Sequence, residues 1–292
     1  MPEEKTDPLR RIKNYLSLVK FSHTIFALPF ALIGFIMGAA SLDFQIDWWN
    51  GLYVLLCMIF ARSAAMSFNR YIDRDIDIQN PRTATREIPS GKIAAKSALQ
   101  FTIINSILFV SVAWLINPLC FYLSPIALSV ILGYSYTKRF TSLCHFVLGV
   151  GLSLAPIGAF IAVTGEFAVL PILFSFAVLF WVSGFDIIYA LQDEQFDMER
   201  DLRSIPVLLG KKNALLLSTV LHIACAVVLL LAGFKGESGW YYWIGWLIFS
   251  ILLTYQHLLV KPNDLSKVNL AFFTTNGIAS IAFAIFYCAD FL

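Results

Sequence analysis

Apolar residues run along this chain in long blocks, separated by short polar stretches. Nine blocks of roughly 17–25 residues are long enough to cross a bilayer as helices. They cover residues 19–40, 50–67, 97–116, 118–136, 144–163, 168–190, 214–233, 240–260 and 268–289. The third and fourth are parted only by "INPLC", which predicts a tight turn at Pro118. The expected fold is all-α: a polytopic membrane helical bundle of about nine transmembrane helices. It forms a single integral-membrane domain over residues 1–292, with a cytoplasmic N-terminal arm at 1–17.

Composition excludes a water-soluble fold. Of the 292 residues 59% are hydrophobic and only 14% are charged, well below the roughly 25% of soluble domains. The five cysteines, at 57, 120, 144, 225 and 288, stand singly in apolar runs and read as small buried hydrophobes. The N-terminal "MPEEKTDPLRRIKNYLSLVK" is too long and too acidic for a signal-peptide n-region, so "TIFALPFALIGFIMGAA" reads as a retained membrane helix.

Charge then assigns sides. The N-terminal arm and the loops after the second, fourth, sixth and eighth blocks hold nearly all the Lys and Arg. The opposite loops carry Lys235 beside Asp43, Asp47, Glu166 and Glu237. This positive-inside bias puts the arm and the even-numbered loops in the cytoplasm and the C-terminus outside.

Two of the cytoplasmic loops are acidic as well as basic. In "NRYIDRDID", Asn69, Asp73 and Asp77 recur at intervals of four, with Arg62 two turns earlier. On a continuous helix they form one drifting stripe. In "DIIYALQDEQFDMERDLRSIP", Asp193 and Asp197 repeat the spacing, preceded by Asp186 and Tyr189. Asp193 lies 120 residues after Asp73, and Asp197 lies 120 after Asp77, which suggests a four-helix unit used twice. Like charges one turn apart repel, and desolvation near a membrane adds to the cost. A divalent cation removes both penalties. Mg²⁺ prefers hard oxygen ligands and is typically held by one or two carboxylates plus substrate phosphates. Two facing Asp pairs suit two such ions bridged by a diphosphate, with Lys and Arg nearby for the remaining phosphate charge.

These motifs resemble the signatures of the UbiA superfamily of intramembrane prenyltransferases. "NRYIDRDID" followed by "RTATREIPSGK" is similar to the first signature, and "DIIYALQDEQFD" to the second. "YSYTKRF" resembles the Tyr/Lys/Arg element after the fourth helix. Three positions depart from the family pattern: Glu87 replaces a usual Pro, Asp201 a common Gly, and His145 a frequent Gln. The resemblance implies Mg²⁺-dependent transfer of a polyprenyl group from its diphosphate to an aromatic acceptor. Asp73, Asp77, Asp193 and Asp197 would be the metal ligands. Asn69, Lys138, Arg139 and Arg203 would contact the diphosphate, with Arg62 and Lys20 as weaker candidates. Tyr189 would shield the reacting end. "KFSHTIFALPFA" is similar to members labelled 4-hydroxybenzoate polyprenyltransferases, which implies an acceptor such as 4-hydroxybenzoate in ubiquinone assembly and a bacterial inner-membrane location. It is equally similar to members acting on 1,4-dihydroxy-6-naphthoate in menaquinone assembly by the futalosine route. His23 of that element and His145 are candidate substrate contacts, whereas His222 and His257 read as packing residues. The partners implied are two small substrates and the lipid bilayer, with no nucleic acid.

Two rivals stand against an enzyme of this kind. A transporter would suit nine spans and an internal repeat, but its binding groups belong near the midplane rather than at one membrane edge. A CDP-alcohol phosphotransferase also spaces aspartates by four. Its signature needs a Gly and a leading Asp-Gly that "ARSAAMSFNRYIDRDID" lacks.

Overall fold

The computed structural model describes residues 8–19 and 26–291, with side chains from residue 13 onward. Among the described residues twelve α-helices follow one another. The long ones are α3 (Trp49–Ile72), α5 (Ala95–Ile116), α6 (Pro118–Thr137), α7 (Cys144–Thr164), α8 (Val169–Ala190), α10 (Ile205–Lys235) and α11 (Trp240–Leu259). The short ones are α1 (Pro8–Leu18), α2 (Leu28–Ser41), α4 (Arg74–Asp77) and α9 (Glu194–Glu199). A π-helical turn at Leu270–Thr275 leads into α12 (Asn276–Ala289). Eight of these segments are long and apolar enough to cross a membrane, and α2 is a shorter apolar helix. The expected bundle of about nine spans is thus present as an integral, multi-pass membrane protein. The first block differs from its expected limits, because the described helix there begins at Leu28. The seventh is longer than expected: α10 starts at Ile205 and kinks at Gly210, whose φ of 72° lies in the left-handed region that favours glycine.

Local chemistry explains the joints. Asn117 caps α6 by accepting from the Cys120 N–H at 2.8 Å, and Pro118 occupies the first turn. Ser204 caps α10 in the same way, accepting from the Val207 N–H. Gly165 ends α7 with a φ of 73°.

Lipid and core faces separate cleanly on α10. Leu216, Val220, Ile223, Val227, Leu231 and Phe234 are exposed at helical spacing, whereas Ala214, Ser218, Leu221, Cys225, Leu229 and Ala232 are buried. Large hydrophobics are exposed all around the bundle because their solvent is hydrocarbon. α8 is the most enclosed helix together with the last span, and it supplies Phe174, Trp181, Ile187 and Ile188 to the centre. Inside, a polar cluster on Asn276 joins three helices. Asn276 accepts from Trp181 Nε1 and Gln256 Nε2, both at 2.7 Å, and donates to the Ala271 and Phe272 carbonyls. Its full hydrogen-bonding capacity is used at the wide turn before α12. His222 Nδ1 lies 2.8 Å from His257 Nε2, joining α10 to α11, in keeping with packing roles for both.

The cysteine expectation needs correction. Only Cys225 is buried, and Cys57, Cys120, Cys144 and Cys288 are half-exposed. An apolar side chain in a membrane helix gains nothing further by turning from lipid to protein, so hydrophobicity does not dictate burial there.

Candidate active site

α3 and α8 each end in a carboxylate cluster, and the two clusters meet. The helical stripe expected from Asn69 to Asp77 is interrupted. α3 ends at Ile72, Asp73 caps it, and Asp77 belongs to the separate short helix α4. The second cluster is built alike. α8 tightens into a single 3₁₀ turn at Leu191–Asp193 before α9 carries Asp197. Asp73, Asp77 and Asp197 are all buried.

Arginines hold three of the four aspartates. Asp73 accepts from Asn69 Nδ2 at 3.0 Å and from Arg139 Nη2 at 2.8 Å. Arg86 Nη1 donates to Asp77 Oδ1 at 2.7 Å, while Asp77 Oδ2 is buried with no hydrogen-bond partner among the described residues. Asp193 receives a two-pronged contact from Arg82, through Nε at 2.9 Å and through Nη2, and a third bond from Asn80 Nδ2 at 3.1 Å. Arg82 also donates to the Tyr189 hydroxyl at 3.0 Å. The Tyr189 ring stacks on Phe272 with centroids 4.1 Å apart. Burial works against the charge of Arg82, but the Asp193 hydrogen bonds and charge outweigh it and hold the guanidinium above its ordinary pKa. Asp197 lies within electrostatic range of Lys138, Asp193, His145 and Arg82.

Arg82 and Asn80 come from the loop after the first cluster, yet they bind the second. A local turn sets this up, with Arg82 N–H donating to Asn80 Oδ1 at 2.9 Å and Thr83 Oγ1 to the Asp77 carbonyl at 3.1 Å. Asn80, Arg82 and Arg86 lie in and beside the first signature, but sequence reasoning does not single them out as site residues. Their signal is the motif itself, since nothing in the linear spacing tells which arginine meets which acid.

The remaining expected residues are placed unevenly. Lys138 and Arg139, at the end of α6, join the site as above. Arg203 does not share hydrogen bonds with the aspartates: its guanidinium donates to the Phe140 carbonyl at 2.7 Å and its N–H to the Lys138 carbonyl. Arg62 lies deeper, on the wall of an apolar cavity of about 390 Å³ between α3, α5, α6 and α7. Tyr134 lines the same cavity and feels the charges of Asp73, Asp186, Arg62 and Arg70. The cavity therefore has an ionic end near the carboxylates and a long greasy remainder. His145 is engaged within the protein, with Nδ1 2.7 Å from Asp186 Oδ2 and Nε2 accepting from the Ile205 N–H. Lys20 and His23 lie outside the described residues.

The donor set suits a hard divalent cation. Among the described residues no group of three or more His, Cys, Asp or Glu forms a ready-made metal cage. The carboxylate pairs and the unpartnered Asp77 Oδ2 instead fit an ion that takes one or two carboxylates and completes its shell with phosphate and water.

The model of the UbiA prenyltransferase family matches residues 27–278. A 4-hydroxybenzoate octaprenyltransferase of Tolumonas auensis is 29% identical over 247 residues, covering 85% of this chain and 84% of its own. One from Shewanella oneidensis is 29% identical over 229 residues, covering 78% of this chain and 80% of its own. Among solved structures, a UbiA homolog from Aeropyrum pernix superposes with a TM-score of 0.79 at 28% identity, over 92% of this chain and 96% of its own. A UbiA homolog from Archaeoglobus fulgidus bound to DMAPP and Mg²⁺ shares the fold, with a TM-score of 0.73 at 20% identity over 95% of this chain and 98% of its own.

Proposed function

The chain belongs to the UbiA prenyltransferase family, and from that premise we propose that it transfers a polyprenyl group from polyprenyl diphosphate to 4-hydroxybenzoate in respiratory quinone assembly, with Mg²⁺. The observation that carries this reading is the meeting of two carboxylate clusters, cross-linked by Arg82, beside an apolar cavity. The acceptor is supported by the names of the relatives, and the metal and diphosphate by the contents of a structural neighbour.

Asp73, Asp77, Asp193 and Asp197 would hold Mg²⁺, which supplies positive charge against the departing diphosphate. Arg82, Arg86 and Arg139 stand among these carboxylates and are placed to take diphosphate oxygens, where guanidinium geometry favours paired hydrogen bonds. The cavity receives the polyprenyl tail and keeps water from the allylic cation. Tyr189, fixed by the stacked Phe272 ring and by Arg82, would wall the reacting end beside Asp193. The C–O bond to diphosphate breaks, a ring carbon ortho to the acceptor hydroxyl bonds to the allylic carbon, and the ring loses a proton.

The test is an assay of membranes with several prenyl diphosphates against both aromatic acids. Prenylated 4-hydroxybenzoate with stoichiometric pyrophosphate is expected. Product from 1,4-dihydroxy-6-naphthoate alone would reassign the acceptor.

The arginines make a sharper test. Arg82→Ala removes charge-assisted bonds worth about 1.5–3 kcal/mol, so kcat/KM for prenyl diphosphate is expected to fall about 10- to 150-fold. Arg203→Ala is expected to stay within about threefold, because an exposed guanidinium on a backbone carbonyl contributes little. The reverse order would return Arg203 to the diphosphate.

Sidedness is tested by labelling. Gln79 and Met198 are exposed beside the two clusters. Cysteines placed there in a Cys-free variant are expected to react from the cytoplasmic face only. Labelling of either from outside would overturn the topology.

A further inference from the structure

Glu87 stands where the resembled family usually has Pro, and its surroundings give it a task. It is only 6% exposed and lies in the loop that follows the first cluster. Its Oε1 accepts from Ser17 Oγ at 2.5 Å, which ties α1 to this loop. Leu18 of α1 packs beside it on Ile93 and Ala98, with Tyr15, Ile88 and Phe101 at the edge. A hydrogen bond to an arm does not by itself require a buried charge, because an amide would serve as well.

The charge has a different neighbour. Arg70, 4% exposed, lies within electrostatic range of two anions, Asp77 and Glu87, and of one cation, Arg86. Arg70 Nη1 donates to Asn69 Oδ1 at 3.3 Å, and Asn69 donates on to Asp73 at 3.0 Å. Arg70 Nε and Glu87 Oε2 are both buried without a hydrogen-bond partner among the described residues. A buried cation held next to a metal-ligating carboxylate competes with the metal for it. It stops competing only if another anion compensates it.

We propose that Glu87 is a positioning residue: its buried carboxylate compensates Arg70, so that Asp77 and the Asn69–Asp73 pair remain available to a divalent cation. This rests on the prenyl diphosphate reading above and adds a group outside the carboxylate clusters. Two effects of removing the charge have the same sign. Arg70 would turn more strongly to Asp77, and the local potential would become less favourable to a cation.

The experiment measures binding rather than turnover. Labelled geranyl diphosphate, without any aromatic acceptor, is titrated with MgCl₂ on protein in lipid nanodiscs. Glu87→Gln keeps the shape and an acceptor for Ser17. It is expected to raise the Mg²⁺ concentration for half-maximal binding about 5- to 10-fold, the scale of one lost unit charge at partly screened range. Ser17→Ala, which removes that hydrogen bond to α1 but leaves the charge, is expected to stay within about twofold of wild type on the same Coulomb argument. Glu87→Asp keeps the charge and is expected to do the same, and it serves as the test if the Gln variant is not recovered folded. A Glu87→Gln curve that overlays wild type would overturn the proposal. So would a Ser17→Ala shift as large as that of Glu87→Gln, which would make docking of the arm the cause. So would a Glu87→Asp shift of about fivefold. Wild-type protein that binds the diphosphate with no dependence on Mg²⁺ would instead overturn the metal reading on which the proposal stands.

Discussion

Asp73→Asn and Asp193→Asn are each expected to lower turnover by about 100- to 1,000-fold while the protein still inserts and folds. The magnitude follows from what each carboxylate holds. Asp193 takes both prongs of Arg82 and a bond from Asn80. Asp73 takes Arg139 and Asn69 at the cap of α3. An amide in either place keeps the volume but loses the charge, leaving an uncompensated guanidinium in a largely buried site. Removing one preorganised electrostatic partner of the charge that develops in the transition state typically costs about 2.7–4 kcal/mol, and about 1.4 kcal/mol corresponds to a decade in rate. The same loss is expected when wild-type membranes are treated with EDTA, with recovery on adding Mg²⁺. Membrane fractionation and thermal unfolding in detergent separate lost chemistry from lost fold. Full turnover in EDTA, or either variant retaining more than about a tenth of the rate, would remove the metal from the reading.

The second large effect is on the fold. In α2, Gly34 and Gly38 are spaced by four and face α7. A Cβ built on Gly34 would lie 2.0 Å from the Pro156 carbonyl oxygen, and one on Gly38 would lie 2.9 Å from Val163 Cβ. Small residues at this spacing let two membrane helices approach backbone to backbone. The obstacle at Gly34 is main chain, which cannot swing aside as a side-chain tip can. Gly34→Val is therefore expected to reach or exceed the upper end of the roughly 1–3 kcal/mol typical of overpacking. In a chain of this size that corresponds to a fall in melting temperature of about 5–10 °C, or to loss of recoverable protein. Gly158→Ala on α7 is the control, because nothing lies within 4 Å of its added Cβ. A Gly34→Val protein that melts with wild type would show that α2 and α7 are not in such close contact.

Much of the architecture is legible in the amino-acid sequence alone, for a physical reason. Lipid offers no hydrogen bonds, so each crossing must be a long apolar helix, and the blocks announce themselves. Ionisable groups are costly there, so acids kept at fixed spacing at one membrane edge stand out as chemistry. Asp73, Asp77, Asp193 and Asp197 are readable in this way. The limits of α10 are less so, because Gly210 turns the chain while the helix pattern runs on through it.

What only the tertiary structure decided is which groups face each other. Arg82 reaches Asp193 across 111 residues and Arg139 reaches Asp73 across 66. Arg203, equally basic and equally close to a signature, turns its guanidinium to the Phe140 carbonyl. In sequence these three are alike: cations just beyond the apolar blocks. Their fates differ because of helix phase and the Asn80 turn, which set the direction of each long side chain and are fixed only when α3, α6 and α8 pack. The cysteines teach the same lesson. Apolar character determines that a residue enters the bilayer, but lipid and protein interior are nearly equal solvents for it, so only packing decides whether it faces outward or in.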